Sequence, residues 1–195
     1  MSIFLFINFK QVLAEEKLPL SISIPSDTFL QYENTDYDVK VLYPKDWDVI
    51  EGDREPGDFI TNIVTFEPKG EAGLHRTDDF FCGDVCIWIG IDNSVIIDDI
   101  SLETYLDEII NSFEIDRKKF EIIYYDTIKT ELDGKKAYKL ISEEKQKKKM
   151  YTKVESGVIY GKQVYIIEYK AMEDYYEQYL PIAEKMFESL KLPDK

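Results

Sequence analysis

Hydrophobic and polar positions alternate most clearly between Tyr37 and Trp47. Val39, Val41 and Tyr43 take one side and Asp38, Lys40 and Leu42 the other, a mostly period-two pattern that predicts a half-buried strand. Pro44 has no N–H to donate and ends the ladder, while Trp47 and Val49 continue the buried side. Residues 28–33 predict a first strand, and Asn34-Thr35-Asp36 the turn that follows it. Residues 60–67, closed by Pro68, predict another strand. Residues 85–91 are apolar without alternation, the pattern of a strand covered on both faces, so helices are expected on both sides of the sheet.

The period then changes. Leu102, Tyr105, Leu106, Ile109, Ile110 and Phe113 form one stripe at helical spacing, preceded by Asp98, Asp99 and Ser101 as caps and N-terminal negative charge. Four strands follow as hairpins. Residues 120–130 are expected to join residues 135–142 across Asp133-Gly134. Residues 150–160 and 163–170 are expected to turn at Gly161-Lys162. The run Lys145-Gln146-Lys147-Lys148-Lys149 reads as a solvated loop guarding a strand edge. Residues 173–190 predict a closing helix that buries Tyr176, Leu180, Ala183, Phe187 and Leu190 with Met186 beside them, and Pro181 predicts a kink or restart. The expected architecture is α+β: an antiparallel sheet of about six or seven strands with a helix on each face.

Composition narrows this reading. The chain has 195 residues, enough for one domain with a core of its own. Its aromatics are mostly Tyr (14) and Phe (11), which favours strands. A net charge of −15 repels phosphate backbones and excludes nucleic acid as the main partner. At the N-terminus, residues 3–7 are apolar but too short to span a bilayer. Residues 1–14 read as the remnant of a signal peptide, with Val12-Leu13-Ala14 before Glu15 as a cleavage site; an ordinary N-terminal strand or tail is the alternative. Residues 15–27, with prolines at 19 and 25, read as a linker to a domain over residues 28–192.

The order of these features resembles the PsbP family, the extrinsic photosystem II subunits and their relatives, which share a fold with the Ran-binding protein Mog1. The resemblance is carried by residues 39–49 with Tyr43-Pro44-x-x-Trp47, by Asp133-Gly134-Lys135-Lys136-Ala137-Tyr138, by Gly161-Lys162-Gln163-Val164-Tyr165-Ile166-Ile167, and by Tyr179-Leu180-Pro181 through Met186-Phe187-Glu188-Ser189-Leu190. It covers about residues 30–192. It implies a Mog1/PsbP-like α-β-α sandwich in an extracytoplasmic, membrane-peripheral protein. Such a protein binds or helps assemble a larger complex, sometimes with calcium or another divalent cation. It implies no photosynthetic role, and no cation-binding residue is carried over from the family.

The side chains offer one candidate metal set, His75, Asp78, Asp79, Cys82, Asp84 and Cys86, which combines imidazole, carboxylate and thiolate ligands suited to zinc or copper. Its spacing matches no standard finger. The alternative is a loop of solvated acids in which Cys86 is core and Cys82 is free or bridged. On one continuous strand the two cysteines would stand about 13 Å apart, beyond disulfide reach, so a bridge requires the chain to fold back at Gly83. The single histidine, and the lack of a nucleophile elbow, phosphate loop or HExxH, give no catalytic motif. Tyr175, Tyr176 and Tyr179 can form an aromatic binding face, or else core and rim. Three functions are therefore expected in order: a non-enzymatic binding or assembly module, a divalent-metal-binding protein, and an enzyme.

Overall fold

The computed structural model describes residues 28–52, 59–70, 82–94, 100–115, 119–146 and 148–193. Residues 1–27, with the expected signal segment and linker, lie outside that set.

Seven strands form one antiparallel sheet. In chain order the elements are β1 (Phe29–Asn34), β2 (Val39–Pro44), β3 (Trp47–Glu51), β4 (Ile60–Pro68), β5 (Val85–Asp92), α1 (Leu102–Ile115), β6 (Phe120–Asp126), β7 (Glu131–Leu132), β8 (Lys135–Lys136), β9 (Tyr138–Gln146), β10 (Lys149–Tyr160), β11 (Gln163–Met172) and α2 (Glu173–Ser189). The large sheet runs β3-β4-β5-β11-β10-β9-β6, with β1-β2 and β7-β8 as separate two-stranded ladders. The expected fold class is the observed one.

Strand alternation sorts the core into two layers. Ile87, Ile89 and Ile91 of β5 join Tyr165, Ile167 and Tyr169 of β11 in a cluster with Ala183, Met186 and Leu190. The intervening positions Val164 and Ile166 join Tyr138 and Leu140 of β9 under Leu102, Tyr105 and Leu106, with Trp88 packed against them. The unbroken apolar run of β5 thus arises because α2 covers one face and α1 the other.

The β1–β2 hairpin lies off the main sheet and packs with α2. Tyr32 and Tyr43 contact Phe66 at ring distances of 5.5 and 5.1 Å. Leu42 donates its N–H to Ser189 Oγ at 2.9 Å, and Lys40 and Lys191 exchange backbone hydrogen bonds. Trp47 anchors the start of β3 against Tyr179 of α2 at 5.8 Å.

Local chemistry explains the start of α1 and one departure from expectation. Ser101 Oγ accepts from Thr104 N at 3.1 Å, capping α1. Asp98 and Asp99 lie outside the described residues. The hairpin expected between residues 120–130 and 135–142 forms, since β6 pairs antiparallel with β9, but a second small ladder interrupts it. Asp126 accepts from Ile128 N, Lys129 N and the Thr130 hydroxyl, which turns the chain away and ends β6. Asp133 (φ 51°) and Gly134 (φ 67°) then close only the short β7–β8 ladder, both in the left-handed region such a turn requires. At Pro181, where a kink or restart is expected, α2 runs on as one helix from Glu173 to Ser189. Pro181 and Glu177, whose carbonyl loses its N–H partner, are both exposed, so that carbonyl is not sealed in the core.

Candidate functional site

The face of the sheet shared with α1 carries buried charge. Where α1 covers it, the residues are apolar apart from Asp92; beyond α1, odd-numbered positions of β10 and even-numbered positions of β9 and β11 are polar. Glu67, Asp84, Ser142, Glu144, Glu168 and Lys170 are all buried there.

At one end, Asp84 receives Lys149 Nζ at 2.7 and 2.8 Å and the Tyr151 hydroxyl at 2.9 Å. The Lys149 side chain is 42% exposed and the Asp84 side chain 4%, so the pair links the surface to the interior. Lys149, the last residue of the basic run, is therefore a structural ion-pair partner, while Lys145 and Lys148 are exposed. Lys170 Nζ lies 4.5 Å from the centre of the Tyr151 ring.

In the middle, Lys153 Nζ reaches Glu144 at 2.8 Å and Glu168 at 4.0 Å. Glu168 also accepts from Trp88 Nε1 at 2.9 Å. Lys153 stands directly opposite Lys170, and Glu155 opposite Glu168. Like charges facing one another destabilise a ladder. Here diagonal contacts of opposite sign relieve part of the repulsion. Burial pushes the Lys170 ammonium down and the neighbouring Lys153 adds to the effect. Burial would lower Lys153 too, but Glu168 and Glu144 outweigh it and hold its pKa up. Burial raises Glu144, and Lys153 overcomes that and lowers it.

Glu155 is different. Burial first, then repulsion from Glu168, push its carboxyl up to about 7. It accepts a short hydrogen bond from the Tyr138 hydroxyl. Tyr138 crosses Gly157 to reach it, since a Cβ at Gly157 would lie 2.8 Å from the phenol oxygen. Tyr138 also packs against Tyr105, ring centres 5.7 Å apart, and Tyr105 donates to Asp92 at 2.8 Å. These groups are satisfied largely by one another, which makes the array an internal scaffold of paired charges.

The six expected metal ligands are partly placed. His75, Asp78 and Asp79 lie outside the described residues. Cys82 and Cys86 are joined in a disulfide with Cα atoms 5.6 Å apart. The chain folds back at Gly83, whose N–H donates to Glu67 Oε1 at 3.0 Å. Sulfur held in a disulfide offers no thiolate, and Asp84 is engaged by Lys149 and Tyr151. Among the described residues no group of three or more His, Cys, Asp or Glu is placed to hold a metal. Tyr175, Tyr176 and Tyr179 serve packing: Tyr176 stacks on Tyr169 at 5.5 Å, and Tyr179 meets both Trp47 and Tyr175.

The exposed apolar surface is concentrated elsewhere. Ile123 (53% exposed), Tyr124 (47%), Tyr125 (56%) and Ile128 (84%) project from β6 and the turn after it. That is four of the seven large exposed hydrophobics among the described residues, gathered in six positions at the end of an edge strand and the turn after it. The strand is held from below by Phe113 of α1, stacked on Phe120 at 5.0 Å. A bulge between Ile122 and Tyr124 shifts its register on β9. Sequence reading missed this surface because residues 122–125 are apolar in succession, a pattern equally consistent with a central strand. Two surface depressions lie apart from it: about 690 Å³ beside Asp133, Lys139 and Lys191, and about 530 Å³ beside Tyr37, Asp38 and Tyr160.

No protein-family model and no curated protein matches the sequence. Solved structures do match in shape. The cyanobacterial PsbP protein (CyanoP) of Synechocystis sp. PCC 6803 superposes with TM-score 0.59 at 14% identity, covering 90% of this chain and 99% of its own. LpqN of Mycobacterium tuberculosis, described as involved in cell envelope biogenesis, gives 0.53 at 16% identity over 85% and 91%. A protein of unknown function from Pseudomonas aeruginosa gives 0.53 at 12% over 86% and 98%. At these identities the likeness shows the fold: this chain has the PsbP-like fold its sequence resembled.

Proposed function

We propose that this chain is a non-enzymatic protein-binding module that works outside the cytoplasm, docking through β6 onto a component of a membrane-associated assembly. The observation that carries this reading is the apolar strip of Ile123, Tyr124 and Tyr125 on an edge strand, with Ile128 in the turn after it. Clustered exposed apolar side chains mark interaction sites, and Tyr is enriched at the centres of interfaces. The Cys82–Cys86 disulfide supports the location, because such bonds persist in oxidising compartments. Among the described residues no helix is long and apolar enough to cross a membrane. The described involvement of LpqN in cell envelope biogenesis supports the same setting. The buried charges are committed to the array, which supports a scaffold over a catalyst.

Co-sedimentation of the full chain with membranes of its source cells tests this. The chain should pellet with intact membranes. It should stay in solution after the membranes are treated with protease, or when the chain carries Ile123→Lys with Ile128→Lys. Pelleting that survives both changes would overturn the reading.

A further inference from the structure

We infer that the outer edge of β6 takes up an extended, cation-bearing segment of a partner protein as an added strand. This rests on the reading of β6 as a binding surface and names its occupant and its mode of binding.

β6 is the last strand of the large sheet, and among the described residues no strand pairs with its outer edge. Edges left open are usually blunted by charge, proline or bulges. Here the bulge at Ile123 is accompanied by four exposed apolar side chains. Their area is limited. Two half-exposed tyrosines and two isoleucines offer on the order of 400 Å² of apolar surface, about half of the ~800 Å² each partner gives to a stable interface. Side chains alone therefore make a weak contact. A main-chain ladder along the open edge supplies the rest, as in strand addition.

Charge selects the occupant. Between Phe120 and Asp126 the strand carries Glu121 and Asp126 and no cation. A second copy is a poor fit: in the antiparallel self-pairing centred between Ile123 and Tyr124, Glu121 faces Asp126 on both sides. Each chain also carries −15 overall. Glu121 already stands opposite Glu143 in the β6–β9 ladder, a like-charged pair. A lysine or arginine on an incoming strand relieves that repulsion. Tyr124 pairs with Ile141, two positions from the Glu121–Glu143 pair on β9, and so shares the face of Glu121; Tyr125, opposite Leu140, lies on the other face. An occupant with cations on one face and branched apolar residues on the other matches both.

The test uses the full chain, ¹⁵N-labelled, and an eight-residue peptide alternating lysine and valine. A twin peptide is N-methylated at every second residue, which blocks ladder hydrogen bonds without changing charge. The unmethylated peptide should shift the amides of residues 120–126 and bind at least tenfold more tightly than its twin. Glu121→Lys should weaken it about tenfold, while Leu30→Lys, at another exposed apolar position, should not. Equal binding of both peptides at β6 would overturn strand addition and leave β6 standing as a contact surface. Shifts confined to other elements, or none at millimolar peptide, would overturn the inference. A dimer of the chain alone, abolished by Ile123→Lys, would overturn the choice of occupant.

Discussion

Glu155 makes stability depend on pH in a way that can be worked out from its surroundings. Its carboxyl is enclosed by the Tyr138 hydroxyl, Glu168 across the ladder and Lys153 on its own strand, and its pKa is raised from 4.5 to about 7. The folded chain therefore holds this proton more tightly than the unfolded chain does. The stabilisation is full below about pH 4.5, declines as pH rises, and is lost above about 7. A shift of that size at 1.36 kcal/mol per unit corresponds to about 3 kcal/mol. Glu155→Gln places a neutral, isosteric group beside Tyr138 at every pH. Urea denaturation of wild type and variant from pH 4 to 8.5 isolates the effect in their difference, since Glu144 and the other lowered carboxylates titrate alike in both. The variant should match wild type near pH 4 and exceed it by up to about 3 kcal/mol at pH 8, on the order of 6–12 °C in Tm for a chain of this size. Parallel pH profiles, or a variant less stable at pH 8, would refute the claim that Glu155 is an enclosed acid repelled by its neighbour.

Other consequences follow from the same face. Asp84→Ala leaves the Tyr151 hydroxyl and Lys149 without their acceptor and should cost about 3 kcal/mol in urea melts, with Asp84→Asn recovering part of it. Reducing the Cys82–Cys86 bond opens a short loop and should cost about 2 kcal/mol, read as a lower denaturation midpoint in the presence of a reductant that leaves the Cys82→Ser/Cys86→Ser double variant unaffected. Gly157→Ala should displace the Tyr138 ring and destabilise the fold by about 1–3 kcal/mol, measured in the same melts. Any stabilisation by zinc that involves Cys82 or Cys86 should require reduction, because the oxidised pair offers no thiolate; metal-titrated melts of oxidised and reduced chain check this.

Local features of the sequence carried most of the fold. The helical stripe from Leu102 to Phe113 needed no tertiary information, and the apolar run of β5 announced helices on both faces. Asp133-Gly134 was a turn, as its residue types require, but the ladder it closes is short because Asp126 spends its carboxylate on Ile128, Lys129 and Thr130 just past the end of β6. The array was not visible because it depends on register. Lys153 and Glu155 look like ordinary outward charges on an alternating strand until β11 places Lys170 and Glu168 directly opposite. The one sequence signal was the presence of Glu168 and Lys170 inside an otherwise apolar run, which a strand covered on both faces tolerates only if the charges are paired. The edge position of β6 was hidden for a related reason: strand order is set by long-range pairing, and its apolar run reads the same at the centre of a sheet as at its margin.

Photo-crosslinking in intact source cells tests the central claim most directly. A photoreactive residue at position 125 should give a discrete adduct to one protein, suppressed by Ile128→Glu in the same chain, whereas the same probe at position 30 should give none. Absence of an adduct at 125, or the same adducts from both positions, would contradict the assignment of β6 as the docking surface.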